Sequence, residues 1–551
     1  MIRVIADWYR NPQRPPYPDK PRGFELAQLG LDWLETFLNP TAKVLLLEQN
    51  MPLFHLAADL ALELNYIEQA YFILERSKSR SLVEQLLRER AELSSQIDEQ
   101  LRTQYVQLST RLDEFVNQLV GNTADSCFFA PITRTVKRTP KQEAQLWQEQ
   151  AVVEQELDKV RCAIAEQDNA FGEAISPCPL ESEQITRLLP ANSLVIAFDQ
   201  RPDYLHLYAI TAQGVHAPLR VELKVQQVTD RVNTFRNNII HDKCVTETNQ
   251  MSDWLTSTLG LAINQLLNIP QPKKKRPNRF GLFSRKAAKT ANWQEIIFIP
   301  HQAWHLLPLH LFKIDGELLV EHYLVRYIPA LQVLRLLHER KPAKPGKGCI
   351  IANPDGTLPT GQMEGHSIKN CRPDDVLLEG SQASLKTVRQ YLETAHHGHF
   401  GCHGFFKPDL KAGLKLADGS LEAKELFTRL RLPNPRLVVL SACKTEPPIK
   451  PTLADEYMRL VSGFLFAGAH NVLAALWHVD EDSTRLLMEN FYQGLAEGLS
   501  PTLALQRAQR QLKEMSSETV QARLQTQKVM SIKPYEEPYY WSGFVLLGDG
   551  V

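Results

Sequence analysis

Apolar and polar positions change their period twice along the chain, and the changes divide it into three stretches. From Gly23 to about Ala170, Leu, Ala, Glu and Gln dominate and glycines are few, which predicts helices. Within it, Gly23 to Arg80 carries the small residues Ala57, Ala58, Ala61 and Ala70 and the run Ala70-Tyr-Phe-Ile-Leu-Glu-Arg-Ser-Lys-Ser-Arg80, a pattern of packed helical hairpins. Ser81 to Val120 and Lys141 to Ala170 read as long charged helices on either side of a break at Gly121 to Pro140, so they can fold back antiparallel. The series Leu86, Leu93, Ile97, Leu101 and Leu108 continues too irregularly for an extended coiled coil.

Strand patterns follow. Ser193 to Phe198, Tyr204 to Ile210 and Gly214 to Val221 predict an antiparallel meander, and Val225 to Asn238 and Met251 to Leu267 predict helices. Beyond Trp293, strands at Glu295 to Pro300, Leu319 to Ile328, Gly348 to Ala352 and Val376 to Glu379 alternate with helices at Leu331 to Glu339 and Ser384 to Leu392. Two apolar runs come next, one ending on His403 and one on Cys443, with a helix at Glu422 to Leu430 between them. Helix Leu453 to Ala467, strand Asn471 to Leu476 and helices Asp482 to Glu497 and Pro501 to Glu514 complete the series. Alternation of this kind predicts a mostly parallel sheet covered by helices. The expected organisation is a helical region over 1–175, a first α/β half over 176–290 and a second over 291–551.

Composition narrows the partners. A chain of 551 residues with 43% hydrophobic content can build several cores. The balance of 62 basic against 63 acidic residues gives no overall field favouring nucleic acid or anionic lipid. The segment 271–289, with Lys273-Lys-Lys-Arg276 and two prolines, is the local exception. It reads as an exposed loop open to cleavage, with nucleic-acid binding as the sharper alternative. The start Met1-Ile-Arg-Val-Ile-Ala-Asp-Trp8 lacks a signal-peptide pattern and no run of eighteen apolar residues occurs, so a cytoplasmic, membrane-independent protein is expected. Eight scattered cysteines without a CxxC pair signal neither a zinc site nor a disulfide framework.

The candidate chemistry lies at the ends of the two apolar runs. Cys443 follows His403 by forty residues, and if both runs are strands of one parallel sheet, both side chains reach a carboxyl edge, where open α/β sheets place their sites. A thiol with a pKa near ~8.5 is mostly protonated at neutral pH, and a neighbouring imidazole supplies the base that it needs. A small residue after the histidine, Gly404, allows close approach of a peptide backbone. The alternative at this stage is a buried cysteine and a core histidine. His301 with His305, and His397 with His399, have spacings found in metal sites but no third ligand nearby, so no metal is expected.

Further signatures surround the pair: His301-Gln-Ala-Trp-His-Leu-Leu-Pro-Leu-His310, Tyr327-Ile-Pro-Ala330, Ile351-Ala-Asn-Pro354, Ala454-Asp-Glu-Tyr457, Phe464-Leu-Phe-Ala-Gly-Ala469, Ala475-Leu-Trp-His-Val-Asp480-Glu-Asp482 and Trp541-Ser-Gly-Phe-Val-Leu-Leu-Gly-Asp549. With them, the stretch from about Trp293 onward resembles the CHAT domain, a branch of the caspase, separase and gingipain clan of cysteine peptidases. The region before it resembles degenerate tetratricopeptide units. The resemblance implies an α/β caspase-like catalytic domain, a mostly parallel sheet flanked by helices, behind an all-α N-terminal region. It implies a cysteine endopeptidase without cofactor or metal, with Cys443 as nucleophile, His403 as proton carrier and the Gly404 backbone at the oxyanion. Trp477, Asp480 and Asp482 are its candidate substrate pocket; capping of a helix by Asp480 or Asp482 is the other reading, and His478 directly after Trp477 departs from the separase pattern. The implied partners are a protein substrate and an activating or adaptor protein at the helical region. The competing expectation is a catalytically silent scaffold that keeps the caspase fold.

Overall fold

A computed structural model describes residues 19–36, 40–77, 97–120, 140–167, 182–240, 245–270, 293–340, 345–406, 412–428, 430, 432, 435–441, 453–477, 480–527 and 531–551. The chain divides into two compact units, Met1–Glu181 and Ser182–Val551. In the first, helices α1 (Lys20–Thr36), α2 (Pro40–Glu63) and α3 (Ile67–Ser77) pack in succession. Ala57, Ala58, Ala61, Ala70 and Tyr71 are fully buried between them, because small side chains let neighbouring helices approach closely. The α2–α3 turn is closed by Asn65 at φ 62°, with the Tyr66 N–H donating to the Ala61 carbonyl and the Asn65 N–H to that of Leu62. This double closure satisfies the last carbonyls of α2, and asparagine tolerates the left-handed backbone it requires.

Helices α4 (Glu99–Val120) and α5 (Pro140–Gln167) form the expected antiparallel hairpin. The Asp98 N–H at the start of one donates to Gln167 Oε1 at the end of the other, at 2.8 Å. Ile97, Tyr105, Val153, Leu157, Val160 and Ile164 make its core.

The second unit is built on one sheet, twelve-stranded among the described residues. After α6 (Ser182–Leu188) come β1 (Ser193–Gln200), β2 (Leu205–Thr211), β3 (Gly214–Val215), β4 (Leu219–Val221), α7 (Val225–Ile240) and α8 (Glu247–Leu267). Then follow β5 (Glu295–Ile299), a small hairpin of β6 (Lys313–Ile314) and β7 (Glu317–Leu318), α9 (Leu319–His322), β8 (Leu324–Tyr327) and α10 (Leu331–His338). The next elements are β9 (Gly348–Ala352), α11 (Pro359–Cys371), β10 (Val376–Glu379), α12 (Leu385–Leu392) and β11 (His397–Gly401). A separate three-stranded sheet, β12 (Gly404–Phe406), β13 (Ala412–Lys415) and β14 (Ser420–Glu422), leads through α13 (Ala423–Thr428) to β15 (Leu437–Leu440). The chain closes with α14 (Leu453–Ala467), β16 (Asn471–Ala475), α15 (Glu481–Ala496), α16 (Pro501–Lys513), α17 (Ser517–Leu524), α18 (Pro538–Trp541) and β17 (Phe544–Gly548).

Strand order in the main sheet is β10-β9-β11-β15-β16-β17-β8-β5-β1-β2-β3, with β4 also on β2. From β10 to β16 every pairing is parallel; β17 runs against β16, and β8, β5 and β1 follow the direction of β17. The sheet is therefore two parallel blocks of opposite direction joined along β16 and β17, with β2 to β4 added in antiparallel pairing beyond β1. Strands β1, β2, β9, β11 and β17 are buried along their whole length; β9 and β17 accordingly read as continuous apolar runs, whereas β11 buries two histidines.

Two local readings are corrected. Leu319 to Ile328 is not one strand: Glu321 Oε2 accepts from the Leu318 N–H at 3.3 Å and nucleates the short helix α9 before β8 begins. The meander of β1 to β4 is more than a meander, because β1 also pairs in parallel with β5 and so ties 193–221 into the sheet of the later strands.

His310 is locked under this sheet. Its Nε2–H donates to the Ser542 carbonyl at 3.0 Å and its Nδ1 accepts from the Tyr327 hydroxyl at 3.0 Å. Burial pushes its pKa down from 6.5 to about 4, against the opposing pull of the Ser542 carbonyl. His206 and His396 are lowered to about 4 as well, again mainly by burial. A folded pKa below the unfolded one means that stability is full above pH 6.5 and is lost as pH falls toward 4. Each such imidazole adds a slope of up to about 1.4 kcal/mol per pH unit in that window. Thermal unfolding followed by circular dichroism should show the midpoint falling less steeply with acid in His310→Gln than in wild type; parallel curves would contradict this assignment.

Candidate active site

Strands β9, β11, β15 and β16 run the same way, so all four end on one edge of the sheet. The segments leaving that edge carry Asp355 and Thr357 after β9, His403 after β11, Ser441 after β15 and Trp477 after β16. β11 and β15 are neighbours, and their register pairs His397 with Leu437 and Phe400 with Leu440, an offset of forty (437 − 397). The offset between His403 and Cys443 is also forty (443 − 403). Cys443 itself lies outside the described residues, the chain after β15 being described as far as Ser441.

His403 is buried, 8% exposed, and anchored from two sides. Its Nε2 lies 2.8 Å from Thr357 Oγ1, and its carbonyl accepts from the Lys415 N–H of β13 at 2.7 Å. The Thr357 hydroxyl donates in turn to Asp355 Oδ1 at 2.8 Å, and the Thr357 N–H donates to the same oxygen at 3.1 Å. Burial alone would raise the Asp355 carboxyl. The Thr357 hydrogen bonds and the nearby His403 and Lys415 outweigh it and hold Asp355 below the usual carboxylate range.

The loop that presents Thr357 is itself constrained. Asn353, at φ 46°, donates its N–H to the Gly401 carbonyl at 2.9 Å, and its Oδ1 accepts from the Leu358 N–H at 2.7 Å. Left-handed backbone at a non-glycine residue costs free energy of order ~1 kcal/mol or more and persists because these bonds over-determine it. Asn353-Pro-Asp-Gly356 is a turn sequence, and Pro359 opens α11, which sequence reasoning overlooked together with Asp355 and Thr357. Proline at a first helical position was the available signal.

Beneath the edge, the histidines of β11 are structural. His397 Nε2 sits 2.7 Å from Asp375 Oδ2, and Asp375 Oδ1 accepts from the Gly348 N–H at 2.7 Å. Burial lowers the His397 pKa against the pull of Asp375, so a neutral imidazole donates to a carboxylate. His399 lies 3.0 Å from Glu364 and 3.2 Å from the Tyr492 hydroxyl. These contacts join β11 to α11 and α15.

Gly404 opens β12 opposite Leu414. Because Lys415 N–H donates to the His403 carbonyl, the Gly404–Leu414 pair is the non-hydrogen-bonded kind, and the Gly404 N–H points away from β13. Trp477 is buried, packs edge-on against Phe235 at 5.6 Å and donates its indole N–H to the Tyr539 carbonyl at 3.4 Å. Asp480 is the N-cap of α15, its Oδ1 accepting from the Ser483 N–H at 2.9 Å, and Asp482 lies in the first turn of that helix. Tyr535 is pushed well up by burial and by the carboxylates of Asp480 and Asp482. Asp455 and Glu456 fall in the first turn of α14. His301 is a hydrogen-bond acceptor, its Nδ1 taking the Gln200 N–H at 3.0 Å. Among the described residues, no three His, Cys, Asp or Glu side chains are grouped to hold a metal ion, and no helix is long and apolar enough to cross a membrane.

The two units define the class: tetratricopeptide-like helical hairpins followed along the chain by a caspase-like α/β domain. The chain belongs to the CHAT domain family, whose pattern matches residues 251–549, more than half of its 551 residues. The match begins inside α8, earlier than the Trp293 start read from sequence. Among characterised proteins it is similar to tetratricopeptide repeat protein 28 of Mus musculus, 24% identical over 406 residues, and of Homo sapiens, 24% identical over 405. Each alignment covers 60% of this chain and 16% or 15% of the relative, so the chain spans about a sixth of the length of the curated relatives it matches. Two crystal structures of the Saccharomyces cerevisiae separase–securin complex align with 99% of the chain and 46% or 47% of theirs, at 12% identity and TM-scores of 0.43 and 0.42.

The first turn of α11 crowds the strand that delivers His403. A Cβ on Gly361 would stand 2.8 Å from the Gly401 carbonyl oxygen, which is backbone and cannot swing aside. Gly361→Ala is expected to lose about 1–3 kcal/mol, read as a lower midpoint in urea unfolding; an unchanged midpoint would show that α11 and β11 are less tightly fitted.

Proposed function

We propose that this protein is a cysteine endopeptidase of the CHAT type. The observation that carries the reading is the equality of two offsets, the β11–β15 register and the His403–Cys443 spacing, both forty. If the same offset held beyond the paired residues, Cys443 and His403 would come together at the sheet edge, and this is the arrangement proposed. His403 takes the thiol proton, and the thiolate attacks the peptide carbonyl. The outward-pointing Gly404 N–H stabilises the oxyanion. His403 then returns the proton to the departing amine, leaving a thioester. Water, deprotonated by His403, hydrolyses that thioester to the free acid and restores the thiol.

In this reading, 1–175 engages a substrate or activating protein, 176–290 buttresses the sheet and 291–551 carries the chemistry. Helical hairpins stacked on one another suit the first task because they present a continuous face for a protein partner. Trp477, Asp480 and Asp482 are the residues proposed to receive a substrate side chain, and the charge of the two carboxylates, which also act on Tyr535, favours a basic one. Scattered cysteines without a pairing pattern suit a reducing compartment, the cytoplasm. A second reading, a catalytically silent scaffold, is favoured by the similarity to a tetratricopeptide repeat protein.

Alkylation separates the two. With iodoacetamide, Cys443 of the wild type should react readily at pH values where an ordinary thiol is protonated, and His403→Ala should move that reactivity toward pH ~8.5. Cleavage of a fluorogenic peptide library should fall by about 100-fold or more in His403→Ala and to background in Cys443→Ala. Equal cleavage by all three proteins, or alkylation indifferent to His403, would favour the scaffold.

A further inference from the structure

We infer that Thr357, backed by Asp355, is a positioning residue that fixes which nitrogen of His403 carries the proton. The inference rests on the reading of His403 as the proton carrier and adds the part that orients it. A threonine hydroxyl has one proton to give. Asp355 Oδ1 receives it at 2.8 Å while also accepting the Thr357 N–H at 3.1 Å, and its carboxyl is held in the ionised, acceptor-only form. Thr357 Oγ1 is then left as an acceptor toward His403 Nε2, 2.8 Å away. The neutral imidazole therefore keeps its proton on Nε2, and the basic lone pair sits on Nδ1.

Three further contacts make the arrangement a built one. Asn353 at φ 46° fixes the loop, with its side chain on the Leu358 N–H and its backbone N–H on Gly401, two residues before the histidine. Lys415 clamps the His403 carbonyl through its N–H, while its ammonium lies 3.9 Å from Asp355 Oδ2. The imidazole is thus held by its ring on the β9 side and by its backbone on the β13 side. In that reading the thiol would meet a ring whose tilt and tautomer are already set, which is what proton transfer in a single geometry demands.

The test reads the tautomer and the rate separately. In full-length Cys443→Ala protein labelled with nitrogen-15 histidine, the neutral His403 ring should show its proton on Nε2. Thr357→Val, equal in shape but without the hydroxyl, should give a mixture of tautomers, and Thr357→Ser should restore the Nε2 form. In protein with Cys443 intact, peptide cleavage by Thr357→Val should show kcat lower by about 10- to 100-fold at nearly unchanged KM, with Thr357→Ser close to wild type. Asp355→Asn leaves Thr357 in place and lets the amide donate to its oxygen; the Nδ1-protonated form should then appear, which keeps the proposal open to refutation if the valine variant does not fold. An unchanged Nε2 signal in both Thr357→Val and Asp355→Asn, or a serine variant as impaired as the valine one, would overturn the proposal. A wild type that cleaves no peptide refutes the peptidase reading instead, while the tautomer spectra still decide the positioning of His403.

Discussion

Everything at the candidate site depends on the parallel pairing of β11 with β15. A parallel pair fixes its register along its whole length, and it sets β11 and β15 side by side so that both end on the same edge. Here the register offset is forty, and the histidine and cysteine are forty apart. A slip of one residue would turn every side chain of β11 to the other face, carrying His397 away from Asp375 and His399 away from Glu364. The buried His397–Asp375 pair and the His399 contacts with Glu364 and Tyr492 therefore do more than fill the core. They make any other register leave charged or polar groups buried without partners, which is the costly alternative.

The same logic extends to the loop after β9. Because β9 neighbours β11 on its other side, its outgoing segment emerges beside His403, and the Asn353 turn bends it back so that Thr357 faces the ring. β12 to β14 then close on the opposite side through Lys415. A histidine gripped by its ring and by its carbonyl has little freedom left.

Much of this was legible beforehand. The helical stretch, the α4–α5 hairpin and the alternation of strands and helices all follow from period and composition. Buried parallel strands read as unbroken apolar runs, and those of β9 and β15 were recognisable as such. Short elements were not. β12 to β14 are three or four residues each and carry no period; α9 hides in an apolar run that continues into β8; α11 is polar enough to pass for loop.

The sequence alone determined the kinds of element, the order in which they occur and the family, since each of these is written in local spacing and residue type. Only the tertiary structure decided that the sheet is two opposed parallel blocks meeting at β16 and β17, that β1 joins the later strands, and that Asp355 and Thr357 stand behind His403. Those facts depend on contacts between residues tens to hundreds of positions apart. Pairings at such separations are chosen by burial and by the satisfaction of hydrogen bonds across the whole domain, which no local pattern encodes.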